Sequence, residues 1–223
     1  MNRPVKLTLI IIVLVVAFLV IFGRFFVKGG DRIGDKVAIV TVKGTITESE
    51  KIISQIHQHR DNSSVKALVL RIDSPGGGVA PVQEIFGELK KLDKPIVASM
   101  GNAAASGGYY LACAAEQIYA NPGTLTGSIG AVMQFVKLKD LYQKVGVEYR
   151  VVKSGKHKDI GNPQREMTIE EQELLQSTID DVRSQFIDAI FQSRHQKVSR
   201  EEIEILADGR IFSGQQAFKY KLV

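Results

Sequence analysis

The sequence predicts an α/β domain in which strand, strand and helix recur, preceded by a single N-terminal transmembrane helix. Three observations predict it. Short β-branched runs such as Lys36–Val42 (KVAIVTV) and Ala67–Arg71 (ALVLR) alternate with stretches whose apolar residues repeat at helical spacing. Glycine-rich turns follow two of the apolar strands. The third observation is the run LTLIIIVLVVAFLVIFG from Leu7 to Gly23, 17 residues without a charge.

At ~1.5 Å per residue the first run spans roughly 25 Å, short of a ~30 Å hydrocarbon core, but Lys6 and Arg24 can snorkel and Phe25, Phe26 and Val27 extend it. A cleaved signal would need small residues near its end, and Ala17 is the only alanine before Ala38, so residues 1–28 are expected to be an uncleaved anchor. Bases flank both ends equally, so only the α-amino group tips the chain toward a cytoplasmic N-terminus, a single pass and an extracytoplasmic domain. Residues 29–35 read as a linker, and the folded domain is expected over residues 36–223.

Lys36–Val42 is its first strand, and Thr47 with Glu50 makes a T-x-x-E capping pattern for a helix to about Asp61. Ala67–Arg71 ends in the turn Asp73-Ser74-Pro75-Gly76-Gly77-Gly78, and Val79–Leu92 is an amphipathic helix with Val82, Ile85, Phe86 and Leu89 inward. Ile96–Ser99 is a strand, followed by Gly101 and a small-residue run that becomes helical over Tyr110–Ala115. Strands are expected at Gln117–Ala120, Ile129–Gln134 and Glu148–Val152, with a helix over Leu138–Val145 between the last two. Ser154–Arg165 (SGKHKDIGNPQR) is a polar loop. Thr168 with Glu171 caps a long helix to about Gln196, and Ser199 with Glu202 starts a short one.

Composition narrows the function. With 44% hydrophobic and 24% charged residues the chain is globular, which excludes a disordered, collagen-like or polytopic membrane protein. The net charge of +5 suggests a polyanion partner only if taken whole. Four of the 29 bases and none of the 24 acids lie in residues 1–30, which leaves 25 bases against 24 acids for the rest. The basicity belongs to the anchor, and no nucleic-acid partner is expected. A lone cysteine, Cys113, makes no internal disulfide and reads as a core residue. His57, His59, His157 and His195 form no cysteine/histidine cluster, so neither a metal nor another cofactor is expected. Gly76-Gly77-Gly78 lacks the spacing of a dinucleotide or phosphate loop.

The second glycine turn, Gly101-Asn102-Ala103-Ala104-Ala105-Ser106-Gly107-Gly108-Tyr109-Tyr110, sets one hydroxyl among side chains too small to shield it, where a helix begins. A serine there can be a helix cap or a packing residue. It can also be a nucleophile, with the helix start and the Gly107 amide stabilising negative charge. A nucleophile needs a base. His157, beside Asp159, is one choice; Lys153, Lys156 and Lys158 are others, provided burial strips one of them of its charge so that a neutral amine takes the serine proton. Tyr109 and Tyr110 read as walls or packing, and Asp73 and Asn102 as turn-stabilising residues.

Three ordered blocks, RIDSPGGGV (Arg71–Val79), GNAAASGGYYLACAAEQIYANPGTLTGSIG (Gly101–Gly130) and VKSGKHKDIGNPQREMT (Val152–Thr168), resemble the signatures of the signal peptide peptidase A family, peptidase family S49, in its short single-domain form. The closing ADGRIFSGQQAFKYKLV resembles its C-terminal block. Family members continue past the Leu-Val of that block, which implies truncation or a short variant at Val223.

The resemblance implies a Clp-protease/crotonase-like fold of repeated ββα units and a Ser-Lys serine endopeptidase that degrades signal peptides left in the membrane, favouring apolar or small side chains. It puts the nucleophile at Ser106 and the general base at Lys158, with Ser128 orienting the lysine and Gly77 and Gly107 forming the oxyanion hole. Asp159 must then point away from Lys158, because an ion pair would keep the base protonated. The resemblance also implies a dome-like homo-oligomer whose active sites are shared between subunits, so that serine and lysine stand apart within one chain. Two rival functions remain open at this point: a crotonase-like acyl-CoA enzyme, which would need a carboxylate near the paired amides, and a catalytically silent anchored scaffold that binds membrane peptides.

Overall fold

The computed structural model describes residues 12–18 and 34–223. Residues 12–18 are helical, with exposed apolar side chains. Most of the expected Leu7–Gly23 span lies outside the described residues, and among those described no helix is long and apolar enough to cross a membrane. The chain divides into two compact units, Met1–Asp35 and Lys36–Val223.

In the second unit, β1 (Lys36–Lys43) and β2 (Val65–Ser74) pair in parallel through the connecting helix α1 (Glu50–Arg60). Helix α2 (Val79–Lys90) leads from β2 to β3 (Ile96–Ala105), again parallel. Alternation decides which face is covered: Val40, Leu70 and Ala98 pair across the three strands and are fully buried, with Ile56 of α1 and Ile85 and Leu89 of α2 in the same core. Helix α3 (Gly107–Ala112) follows β3 directly.

The start of β3 carries β4 (Gln117–Tyr119) and its end carries β5 (Leu125–Gly127), both in parallel. Two threonines lock the second pairing: the Thr124 hydroxyl donates to the Gly101 carbonyl at 2.8 Å and that of Thr126 to the Ala104 carbonyl at 2.7 Å. After α4 (Lys139–Lys144), the long α5 (Ile169–Arg194) and α6 (Arg200–Leu206), β6 (Ile211–Ser213) returns antiparallel to β5, and α7 (Gly214–Lys219) follows. The result is a six-stranded mixed sheet in the order β1-β2-β3-β5-β6, with β4 on β3.

The α/β class and most elements agree with the sequence reading, and the differences have physical reasons. The chain alternates single strands and helices through β3, rather than strand, strand, helix, because both β4 and β5 use the one long β3 as partner. That strand was expected to stop at Ser99; its alanines continue extended to Ala105, since small side chains let the neighbouring backbones pair closely. The helix begins at Gly107, three residues before the expected Tyr110, and ends at Ala112. Ile129–Gln134 and Glu148–Val152 are not strands. Their β-branched residues find no partner strand, and Val132 and Val152 stand in solvent.

Thr47 does not cap α1. Ser49 occupies the N-cap, and its hydroxyl donates to Glu84 on α2 instead. The capping boxes at Thr168/Glu171 and Ser199/Glu202 are present as read. Three elements escaped notice, β5, β6 and α7, although Ser213 with Gln216 forms a third capping box that the same rule could have found.

Candidate active site

The site is built at the carboxyl ends of three adjacent strands. Ser74 pairs with Ala104, and Ala105 with Gly127, so the residues that follow come side by side: Gly76 and Gly77 after β2, Ser106 and Gly107 after β3, and Ser128 after β5. Open α/β sheets place ligand sites at these ends, where loops diverge.

Each turn is fixed from within. The buried Ser74 hydroxyl accepts the Gly76 amide at 3.1 Å, and Asp73 Oδ1 accepts that of Ala103 at 3.2 Å, which makes Asp73 the turn-stabilising residue expected of it. Gly77 bridges to Ile46, whose amide donates to the Gly76 carbonyl and whose carbonyl accepts from Gly78. Only glycine fits here: a Cβ on Gly77 would stand 2.0 Å from the Ile46 oxygen, and one on Gly76, at φ +103°, 2.7 Å from the Gly107 nitrogen. The same closeness brings the two turns together. Among the described residues neither the Gly77 nor the Gly107 backbone N–H donates a hydrogen bond, so both are free for an anion.

Ser106 occupies the corner between β3 and α3 at φ +51°, ψ −124°, a region that side chains disfavour. Its amide is held by the Gly127 carbonyl at 2.8 Å, and its own carbonyl accepts from Tyr110 at 3.0 Å. The surroundings force the strained conformation, the condition under which strain persists at functional sites. Ser128 has a positive φ as well, +50°, and its amide donates to the Arg210 carbonyl at 2.8 Å. Helix α3 has only six residues, too short for a long helix dipole, so the donors this corner offers an anion are the two local amides.

Gly77, Ser106 and Ser128 line one cleft of about 450 Å³, closed on its other side by Ile179 and Arg183 of α5 and by Ala207–Gly209. Beside it a slot of about 30 Å³ between α2 and α5 is walled by Val79, Val82, Tyr110, Val182 and Phe186, with Gln83 as its polar member. Tyr110 is thus a wall, while Tyr109 is fully buried and donates its hydroxyl to the Leu222 carbonyl at 3.0 Å, tying α3 to the C-terminal residues. Burial pushes the Cys113 thiol up to about 12, which suits a core residue. Asp208, the one carboxylate lining the cleft among the described residues, is gripped by Arg210 and held down to about 2, which leaves it fixed as an anion.

Lys158 is not brought to this cleft. It lies exposed in the turn-rich loop, and among the described residues its ammonium has no hydrogen bond or ion pair. Its neighbours are engaged elsewhere. Lys156 pairs with Glu170, and His157 Nε2 lies 3.4 Å from the same carboxylate while its buried Nδ1 has no partner among the described residues. Asp159 points away from Lys158, toward Arg165 and Lys153. No group of three histidine, cysteine or acidic side chains among the described residues is placed to hold a metal.

The α5 wall was missed as a site component, since nothing in the sequence sets Val182 and Phe186 apart from the rest of a long capped helix. The partner of Gly77, Ile46, carried no signal at all.

Comparison with known proteins matches residues 88–223 to peptidase family S49 and residues 33–125 to Clp protease. A Synechocystis protein described provisionally as a protease is 44% identical over 191 residues, covering 84% of this chain and 68% of its own. An Enterococcus faecium protein described provisionally as signal peptide peptidase SppA is 34% identical over 78% of this chain and 51% of its own. The chloroplastic serine protease SPPA of Arabidopsis thaliana is 34% identical over 88% of this chain and 29% of its own. The chain thus spans about half, or less, of the length of two of these three relatives.

Proposed function

The chain belongs to peptidase family S49, the family of SppA, and we propose from this premise that it is a membrane-anchored serine endopeptidase working through a Ser106–Lys158 dyad. The observation that carries the reading is Ser106, strained at a strand-to-helix corner beside two free amides.

In the proposed reaction Ser106 Oγ attacks the scissile carbonyl as Lys158 Nζ takes its proton. The Gly77 and Gly107 N–H groups receive the oxyanion, where preorganised donors lower the barrier most. Collapse expels the leaving amine, which takes the proton from Lys158; the Lys158 amine, neutral again, then deprotonates a water that attacks the acyl-enzyme, and the proton passes on to Ser106 Oγ as the acid product leaves. Ser128 accepts a hydrogen bond from the lysine and orients it. No imidazole is needed.

The apolar slot beside Ser106 takes a side chain of matching character, which supports apolar or small residues next to the scissile bond. Signal peptides left in a membrane have that character, and an anchor at residues 1–28, with the N-terminus cytoplasmic, would hold the domain near them. Lys158 is not among the residues that line the Ser106 cleft, which supports the shared-site arrangement, in which a neighbouring copy supplies the lysine.

The test is hydrolysis of an apolar fluorogenic peptide by the purified full chain. Ser106→Ala and Lys158→Ala are each expected to lose about a thousandfold or more in kcat/KM. Hydrolysis retained by Ser106→Ala would sink the mechanism.

A further inference from the structure

The loop that carries Lys158 is tied down by a charge cluster. Arg165 donates from Nε and Nη2 to the two oxygens of Asp159, each at 3.0 Å, and from Nη2 to the Asp159 carbonyl at 3.3 Å. With the same guanidinium it grips both oxygens of Glu171, at 2.7 and 2.5 Å. Lys153 adds a second cation at 2.5 Å from Asp159 Oδ1. Asp159 and Glu171 are almost out of solvent, with side chains 12% and 4% exposed. Glu171 is also the third residue of α5 and closes its capping box with Thr168. Helix α5 in turn packs Phe186 against Tyr110 beside Ser106, with ring centroids 4.9 Å apart. One guanidinium thus fastens the loop to the helix that walls the nucleophile.

We propose that Arg165 is the positioning residue of the catalytic lysine: with Lys153 it holds the Asp159 carboxylate off the adjacent Lys158, so that the amine can lose its proton. This inference rests on the reading of Lys158 as the base. Asp159 is the next residue in sequence, and its carboxylate is the nearest available source of a paired anion. An anion beside an amine keeps the proton on it, and a base that stays protonated does nothing. The cations on Asp159 hold its carboxyl far below the usual carboxylate range, so it remains an anion at every working pH and has to be held by geometry rather than by protonation.

The other charged groups around the loop are spoken for. Lys156 and His157 face Glu170 from α5, and Lys137 from the preceding segment pairs with Glu166. Lys153, Asp159, Arg165 and Glu171 make a cluster of zero net charge, and Lys158 stands outside it.

The test is the pH profile of kcat/KM on the apolar peptide, whose acid limb reports the essential base of the free enzyme. In Lys153→Met/Arg165→Gln the freed Asp159 carboxylate turns to Lys158, and the acid limb moves up by about one pH unit. Adding Asp159→Asn removes that anion and brings the limb back. A merely structural role for Arg165 would lower activity in both variants alike and leave the limb in place. Arg165→Lys, which keeps the cation without the fork, moves the limb less and serves if the double variant does not fold, as read by circular dichroism.

A limb that stays put in a folded variant, or that Asp159→Asn does not restore, overturns the proposal. Lys158→Ala separates the two levels. If it remains active, the base reading fails; if it is silent while the limb of the Arg165 variants does not move, only the role of Arg165 falls.

Discussion

Gly77 and Gly87 make a paired experiment at the scale of one residue. A methyl on Gly77 would meet the Ile46 backbone at 2.0 Å, and backbone cannot move aside as a side-chain tip can. Gly87 sits in α2 with nothing within 4 Å of its would-be Cβ. Gly77→Ala is therefore expected to lose about 3 kcal/mol in urea unfolding, and peptide hydrolysis with it. Gly87→Ala should be neutral or gain up to ~1 kcal/mol from better helix propensity. Equal effects would show that the Ile46–Gly77 contact does not constrain the turn. The turn at Ser106 stood out because its signal is local, small neighbours after an apolar strand, whereas Gly77 was singled out from Gly76-Gly77-Gly78 only by resemblance to a family. Lys158 did not stand out either, since three lysines in one polar loop look alike on spacing, and only resemblance to a family separates them. Ile46 and Phe186 were illegible for a different reason, because each reaches the site through contacts from far along the chain.

Elements whose signal lies in their own ends were read best. Thr168 and Ser199 each accept the amide three residues on, while Glu171 and Glu202 return the bond to the cap, as the spacing required. Thr168→Ala should lower stability by about 1 kcal/mol, and Ser199→Ala by a similar amount, with the double variant additive in urea unfolding because the caps share no partner. Non-additivity beyond ~0.5 kcal/mol would mean that the two helix starts are coupled. The strands behaved otherwise. Propensity alone made Ile129–Gln134 and Glu148–Val152 look extended, but a strand exists only where a neighbour can pair with it. Conversely β3 runs through Gly101–Ala105, a stretch that reads as a turn, because β5 lies alongside and Thr124 and Thr126 bind its carbonyls.

At the scale of the molecule, those unpaired stretches have a bearing on the proposed assembly. Val132, Phe135, Val136, Leu141, Val145, Tyr149 and Val152 are exposed within one segment that leads directly into the loop of Lys158. Large apolar exposure of this kind is characteristic of surfaces that meet a partner. If a second copy covers the segment, the loop after it travels with that contact and can deliver Lys158 to the Ser106 cleft next door. A head-to-tail ring of this sort makes every site from two chains. Ser106→Ala chains keep the lysine and Lys158→Ala chains keep the serine, so each variant alone is silent. Co-expressed in equal amounts and purified as one assembly, they should regain about one quarter of wild-type peptide hydrolysis, the share of random neighbour pairs that unite an intact serine with an intact lysine. A dyad formed within one chain regains nothing in the same mixture. The recovered fraction thus reads out which chain supplies the lysine, and a mixed assembly that stays silent would reject the shared site while leaving the roles of Ser106 and Lys158 to their own variants.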